Sequence, residues 1–227
     1  GTIVTRTVPN SSNGIDVRRL CVGSEGILGV ITELTMQVHR LPEYKVFEGW
    51  LFPDFESGVA AIHECMRMGI MPVITRLNDP GKTALSAAFK KPDTGLKAQI
   101  GAALKWYLRT IKGFDFTQCC MMTTACEGDY DTFHQQRRES AYIFKRHRGV
   151  CLGEGPGRSF QEAKYDFPHV RDYLMNRGVM GDVSETATTW DNLLRLYTKT
   201  LENIRQAIRD TGADPWVGCH ISHNYHT

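Results

Sequence analysis

Apolar residues in the stretch 55–68 return every three or four positions. Val59, Ile62, Cys65 and Met66 fall on one stripe, with Asp54 placed to cap the start and Gly69 to stop the end. That pattern predicts a helix. Similar spacing predicts an amphipathic helix over "GLKAQIGAALKWYLRTIKG" up to Gly113, and a third from Asp129 to Arg148 with Phe133, Ala141 and Phe144 inward and Gly149 after it. A last helix from Asp191 to Gly212 aligns Leu194, Tyr197, Leu201, Ile204 and Ile208, and the run from Phe160 to Gly178 is helical in pattern but polar. Between the helices lie β-prone runs: "TIVTRTV", "GVITELTMQVHRL", "KVFEGWLFP", "MPVITRLN", "FTQCCMMTTACEG", "GVCLG", "VMGDVSETATT" and the closing "WVGCHISHNYHT".

Strand, helix, strand, repeated, is the order of an α+β unit in which helices cover one face of an antiparallel sheet. The strand pattern that runs into Pro42 stops there and a new one starts at Lys45, which puts a domain boundary at 42/43. Residues 1–42 are too short for a domain and are expected to be the tail of one, with 43–227 as a second domain truncated at its C-terminus. The abrupt ends lead to the expectation of a fragment of a longer protein.

Composition narrows the chemistry. A net charge of +2, with no run of five or six like charges, argues against nucleic acid as partner. "KRHRG" at 145–149 complements the dipole at a helix end. Seven cysteines, odd in number and without CxxC spacing, argue against a disulfide framework or a zinc ribbon and for a reducing interior. No apolar stretch reaches the roughly 20 residues that span a bilayer.

The closing stretch carries His220, His223 and His226, one at every third position. In a strand each residue advances roughly 3.3 Å and faces alternate, so His220 and His226 share a face but stand roughly 20 Å apart. They do not converge on one ion as zinc ligands must, and no metal is assigned. His223 falls on the other face, with Ile221 and Tyr225. A strand that turns polar groups toward a cavity is one reading and a strand with solvated histidines the other. "GEGPGR" at 153–158 invites a phosphate-loop reading but lacks the Lys-Ser/Thr that follows such a loop, and a mobile linker is expected there.

In "GSEGILGVIT" the glycines at 23, 26 and 29 permit positive φ and let backbone approach a flat or charged ligand. The whole string resembles the signature near the end of the flavin-binding (PCMH-type) domain of the vanillyl-alcohol oxidase type of FAD enzymes. In them a cap domain follows, an antiparallel sheet with helices on one face. That resemblance implies FAD as cofactor, bound along Gly23, Ser24, Glu25, Gly26, Ile27, Leu28, Gly29, Val30 and Ile31. Further stretches, "RLPEYKVFEGWLFPDFESGVA", "ITRLND", "KGFD", "CEGD", "VRDYL" and "SETATTWDNL", resemble the alkyldihydroxyacetonephosphate synthases, in order and over essentially the whole chain.

The resemblance implies ether-lipid synthesis without net oxidation. Acyl-dihydroxyacetone phosphate loses a proton, its carbon is held as a flavin N5 adduct, the fatty acid leaves and a fatty alcohol takes its place. Tyr225 would be the base, with His223 beside it, and Arg171 the substrate-binding arginine. Arg76 would be important for activity, with phosphate, carboxylate or flavin as its partner. Without the resemblance, surface salt bridges serve as well for both arginines. It also implies a homodimer in the intact protein, peripheral association with a membrane, and residence in the peroxisome or, in trypanosomatids, the glycosome.

The rival within the wider family is a D-2-hydroxy acid dehydrogenase of the D-lactate type. Such enzymes carry a pattern like "GHxGDGNLH" where this chain has "CHISHNYHT", without the GDGN core. A non-catalytic cap-like module would lack the arginines and the tyrosine, which are present. The isolated 227-residue polypeptide is expected neither to hold FAD tightly nor to turn over.

Overall fold

The computed structural model describes residues 1–10, 12–88, 94–163, 165 and 167–224, apart from the side chains of 97, 163 and 167–170. They divide into two compact units, Gly1–Leu41 and Pro42–Thr227. In the first, the regular structure among the described residues is α1 (Val17–Cys21), capped by Asp16, which accepts from the Arg18 amide at 3.1 Å and pairs with its guanidinium at 2.9 Å. The runs at 2–8 and 29–41, expected as strands, are not strands. Alternation makes a strand only where a neighbouring backbone takes up the amides and carbonyls. Among the described residues this unit contains no strand to do so, and Ile3, Val30 and Val38 stay exposed.

The second unit begins with β1 (Tyr44–Phe52), α2 (Phe55–Met68), β2 (Ile74–Asn78), α3 (Pro80–Ala88) and α4 (Gly95–Thr110). It continues with β3 (Cys120–Gly128), α5 (Tyr130–Arg146), β4 (Val150–Gly153), α6 (Glu154–Ala163) and α7 (Phe167–Met175). A 3₁₀ turn at Trp190–Asn192, α8 (Leu193–Asp210) and β5 (His220–Ile221) close it. The strands pair in the order β4–β1–β3–β2–β5, every neighbour antiparallel, which is the α+β architecture expected, except that helix covers part of the second face as well.

The caps are those the sequence signals. Asp54 accepts from the Ser57 amide at 2.7 Å, and Gly69 ends α2 in the left-handed region at φ 69°. Asp129 accepts from the Thr132 amide at 2.8 Å at the head of α5. The segment 179–189, expected as a strand, pairs with nothing among the described residues; its β-branched residues meet no sheet edge. Among the described residues, the closing strand, expected from Trp216, is confined to His220–Ile221, because of these only the two lie in register with β2.

Register decides which face each side chain takes. Trp50 stands opposite Met122 and Phe52 opposite Cys120, and these four share a core with Ile62 and Cys65 of α2 and Phe144 of α5. The Phe144 ring meets those of Trp50 at 5.1 Å and Phe52 at 6.1 Å between centroids. Burial of each such aromatic contributes about 1.5–3 kcal/mol. α8 closes the same core by stacking Tyr197 on Phe55 at 4.2 Å. Burial pushes the Cys65 thiol up to about 12 and the Cys126 thiol to about 11, so both pack as neutral apolar groups.

The other face of β1, carrying Phe47 and Gly49, is crossed by α6. Here "GEGPGR", expected as a mobile linker, is helix. Pro156 sits in the first turn, where its missing N–H costs no helical bond. Gly157 lies flat on the β1 backbone: a Cβ there would stand 2.5 Å from the Phe47 carbonyl carbon. Gly157 serves close packing, while Gly153 and Gly155 have open space where a Cβ would stand.

Candidate functional site

The glycine run of the first unit forms consecutive tight turns. The Ser24 amide donates to the Cys21 carbonyl at 3.2 Å, Ile27 to Ser24 at 3.0 Å and Gly29 to Gly26 at 3.3 Å. Gly23, Gly26 and Gly29 take φ of 86°, 84° and 146°, and Glu25 joins them at 52°. No heavy atom lies within 4 Å of where a Cβ on any of the three glycines would stand. Backbone open on that side, with Ile27, Leu28, Val30 and Ile31 exposed along it, fits a flat, phosphate-bearing cofactor such as FAD.

Arg76 stands in the middle of β2, paired with Thr123 of β3. Since Leu77, the next residue, points into the main core, Arg76 and Asn78 face the side crossed by α6. The Arg76 guanidinium lies over the Phe160 ring of α6, 5.5 Å from its centroid. Half-buried, it has its pKa lowered by desolvation, and among the described residues it makes no ion pair. A half-buried cation without a carboxylate is costly unless an anion completes it.

β5 brings a second group to that side. The register sets His220 opposite Asn78 and Ile221 opposite Leu77, so His220 shares the face of Arg76 while Ile221 packs on the core. Lys82, in the first turn of α3, places its Nζ 2.8 Å from Nδ1 of His220. An ammonium can only donate, so Nδ1 accepts and the ring proton belongs on Nε2. Burial, then the charges of Arg76, Lys82 and His223, push the His220 pKa down to about 4. Burial also lowers that of Lys82, with Arg76 adding to the effect.

A buried carboxylate stands close to Lys82, and its charge opposes the lowering there. Asp79 is 1 % exposed, accepts from the Lys82 amide at 2.7 Å and from the Tyr197 hydroxyl at 3.2 Å, and its own amide donates to the Cys219 carbonyl at 3.0 Å. It therefore caps α3 and ties α8 to the strand ends. This leaves Arg76 and Lys82 as cations on the sheet face, with Asn78 Oδ1 buried there without a hydrogen-bond partner.

Of the residues singled out in the sequence, Arg76 lies at this corner and His223 is exposed just beyond it, close enough to act on the charge of His220. Arg171 is exposed on α7, 3.9 Å from the Asp172 carboxylate. Tyr225 and His226 lie outside the described residues. Among the described residues no three His, Cys, Asp or Glu side chains gather as a metal site. Nothing in the sequence marks Lys82 and His220 as partners, because 138 positions separate them and α3 is short, small-residued and not periodic. The one signal is Asp79, three residues before Lys82, as an N-cap.

Comparison with known proteins bears on the whole chain. An alkyldihydroxyacetonephosphate synthase of Trypanosoma brucei brucei is 35 % identical over 213 residues, covering 93 % of this chain and 35 % of that protein. The solved structure of an alkyldihydroxyacetonephosphate synthase superposes with a TM-score of 0.78 at 33 % identity, covering 94 % of this chain and 39 % of that one. The mitochondrial D-lactate dehydrogenase (cytochrome) of Arabidopsis thaliana, 38 % identical, matches over 60 residues, 26 % of this chain. The chain thus spans little more than a third of the length of the synthases it matches. Residues 41–227 match the family described as FAD linked oxidases, C-terminal domain, and the chain belongs to that family.

Proposed function

We propose that the intact protein carrying this chain is an FAD-dependent alkyldihydroxyacetonephosphate synthase, exchanging the acyl chain of acyl-dihydroxyacetone phosphate for a fatty alcohol. The observation that carries the reading is Arg76: a half-buried guanidinium on the sheet face, without a carboxylate partner among the described residues, beside the Lys82–His220 pair. Such a corner calls for an anionic substrate. In this reading residues 1–42 are the end of the FAD-binding domain and 43–227 the cap domain. FAD, when bound along residues 23–31, supplies the electrophile that lets one oxygen substituent replace another without net oxidation.

The chain's own residues would do the rest. Arg171 grips the phosphate, for which its planar fork of donors is suited. Tyr225 takes the proton from the substrate carbon. A phenol ordinarily titrates near pH 10, and nearby cations favour its ionised form. His223 would supply that charge or a hydrogen bond, and Arg76 holds negative charge that develops as the acyl group departs.

Peripheral membrane contact draws support from α4. Leu96, Ile100, Leu104, Tyr107 and Ile111 recur every three or four residues and are exposed, while Lys105, Arg109 and Lys112 flank them and residues 95–112 contain no acid. A basic amphipathic helix of this kind lies in the plane of an anionic lipid surface. Homodimerisation and peroxisomal or glycosomal residence belong to the same reading.

The test follows flavin absorbance of the intact protein, anaerobically, while acyl-dihydroxyacetone phosphate with a fatty alcohol, or a D-2-hydroxy acid, is added. Perturbation by the acyl substrate alone, with an alkyl ether formed and no electron acceptor present, is expected. Bleaching by a hydroxy acid with no ether formed would assign the chain to the dehydrogenases.

A further inference from the structure

We infer that Arg76, Lys82 and His220 form a subsite for a carboxylate, separate from Arg171, that receives the carboxyl group of the departing fatty acid. The inference rests on the synthase reading for the identity of the acid, and on geometry for the site.

Three elements converge. β2 contributes Arg76 and Asn78, the first turn of α3 contributes Lys82, and β5 contributes His220, with Asn78 and His220 in direct register. The corner is rigidly built. Gly81 and Gly218 let α3 and the chain entering β5 pass close together: a Cβ on Gly81 would stand 3.3 Å from the Val217 carbonyl oxygen, and one on Gly218 3.2 Å from the Lys82 amide. Arg205 of α8 donates to that same Val217 carbonyl at 3.2 Å. The Lys82–His220 contact of 2.8 Å fixes the imidazole as a neutral ring with its N–H on Nε2.

The site therefore has two cations and one neutral ring donor. A half-buried histidine beside two cations gains nothing from protonation, and an arriving oxyanion finds their charges already in place. The half-buried setting against the Phe160 ring favours a singly charged carboxylate over a phosphate dianion, whose dehydration costs more. Arg171, exposed on α7, suits the more strongly hydrated phosphate.

The exchange requires such a site. As the bond between the substrate carbon and the ester oxygen breaks, the acyl group leaves with both electrons of that bond and both ester oxygens as a carboxylate. The alcohol oxygen then bonds to the carbon and gives up its proton. Charge that appears on the leaving oxygens is stabilised where donors already point at them.

Decanoate and inorganic phosphate binding to the intact flavoprotein, read by calorimetry, test the site, with Lys82→Met, Lys82→Arg and Arg171→Gln beside the unaltered protein and the melting temperature of each recorded. Lys82→Met is expected to weaken decanoate roughly tenfold or more and leave phosphate unchanged, Lys82→Arg to restore decanoate, and Arg171→Gln to weaken phosphate alone. Unchanged decanoate affinity in Lys82→Met, or a loss confined to phosphate, overturns the subsite. If decanoate binding responds as expected but no ether forms in the unaltered protein, the subsite stands and the synthase reading falls.

Discussion

The backbones of Gly157 and Phe47 meet so closely that a Cβ on the glycine would stand 2.5 Å from the Phe47 carbonyl carbon and 2.6 Å from the Glu48 amide nitrogen. α6 is thereby seated on β1, and Phe160, one turn further on, is held under Arg76. A sequence that reads as a flexible glycine linker is a packing device.

Gly157→Ala should therefore destabilise the fold by roughly 1–3 kcal/mol, as overpacking does. Gly155→Ala, with open space around the new methyl, should be neutral or stabilise by about 0.5–1 kcal/mol. Urea unfolding of the two variants checks this. Equal effects would mean that α6 does not rest on β1.

Arg76→Met should separate stability from activity. The substitution removes a half-buried cation that has no carboxylate partner among the described residues, so the melting temperature is expected to hold or rise. Ether formation should fall by about a hundredfold or more, the scale on which a preorganised charge contributes. A lower melting temperature with activity kept would make Arg76 a structural residue.

Acid should weaken this corner of the fold. His220 titrates ordinarily at 6.5 and is pushed down to about 4, first by burial and then by the charges of Arg76, Lys82 and His223. Below pH 6.5 the unfolded chain takes up a proton that the folded chain refuses until pH is near 4, so stability falls as pH drops through that window and levels off beneath it. The expected loss is roughly 1–3 kcal/mol. Denaturant unfolding across the window should show it, and His220→Gln should flatten that part of the curve.

The stripe on α4 makes a separate prediction. Ile100→Glu combined with Leu104→Glu should abolish sedimentation of the intact protein with vesicles containing phosphatidylserine, and salt should weaken the binding of the unaltered protein. Both residues are exposed, so stability should change by less than about 0.5 kcal/mol. Vesicle binding that survives the pair would remove α4 as the contact.

Most of the second unit is legible in its residues alone. Asp54, Gly69 and Asp129 mark helix ends by chemistry local to a few residues, and β1 and β3 carry long apolar runs because both their faces are covered. Legibility ends where the fold depends on a distant partner. Residues 2–8 and 29–41 alternate like strands but have no described neighbour to pair with, and Gly157 is needed only because β1 lies beneath it. For the same reason Arg76 and the glycines of 23–29 are legible as motifs. Lys82 and His220 are not, since their meeting depends on the β2–β5 register and on the cap at Asp79.

In the proposed exchange a fatty alcohol replaces the whole acyloxy group of the substrate. The replacement is tested most directly by giving the intact protein acyl-dihydroxyacetone phosphate and hexadecanol labelled with heavy oxygen, then weighing the product. The ether is expected to retain the label and the released fatty acid to be unlabelled, with both ester oxygens gone from the substrate. An ether without the label, or a labelled acid, would mean that attack falls on the acyl carbonyl or the alcohol carbon, and would contradict the exchange.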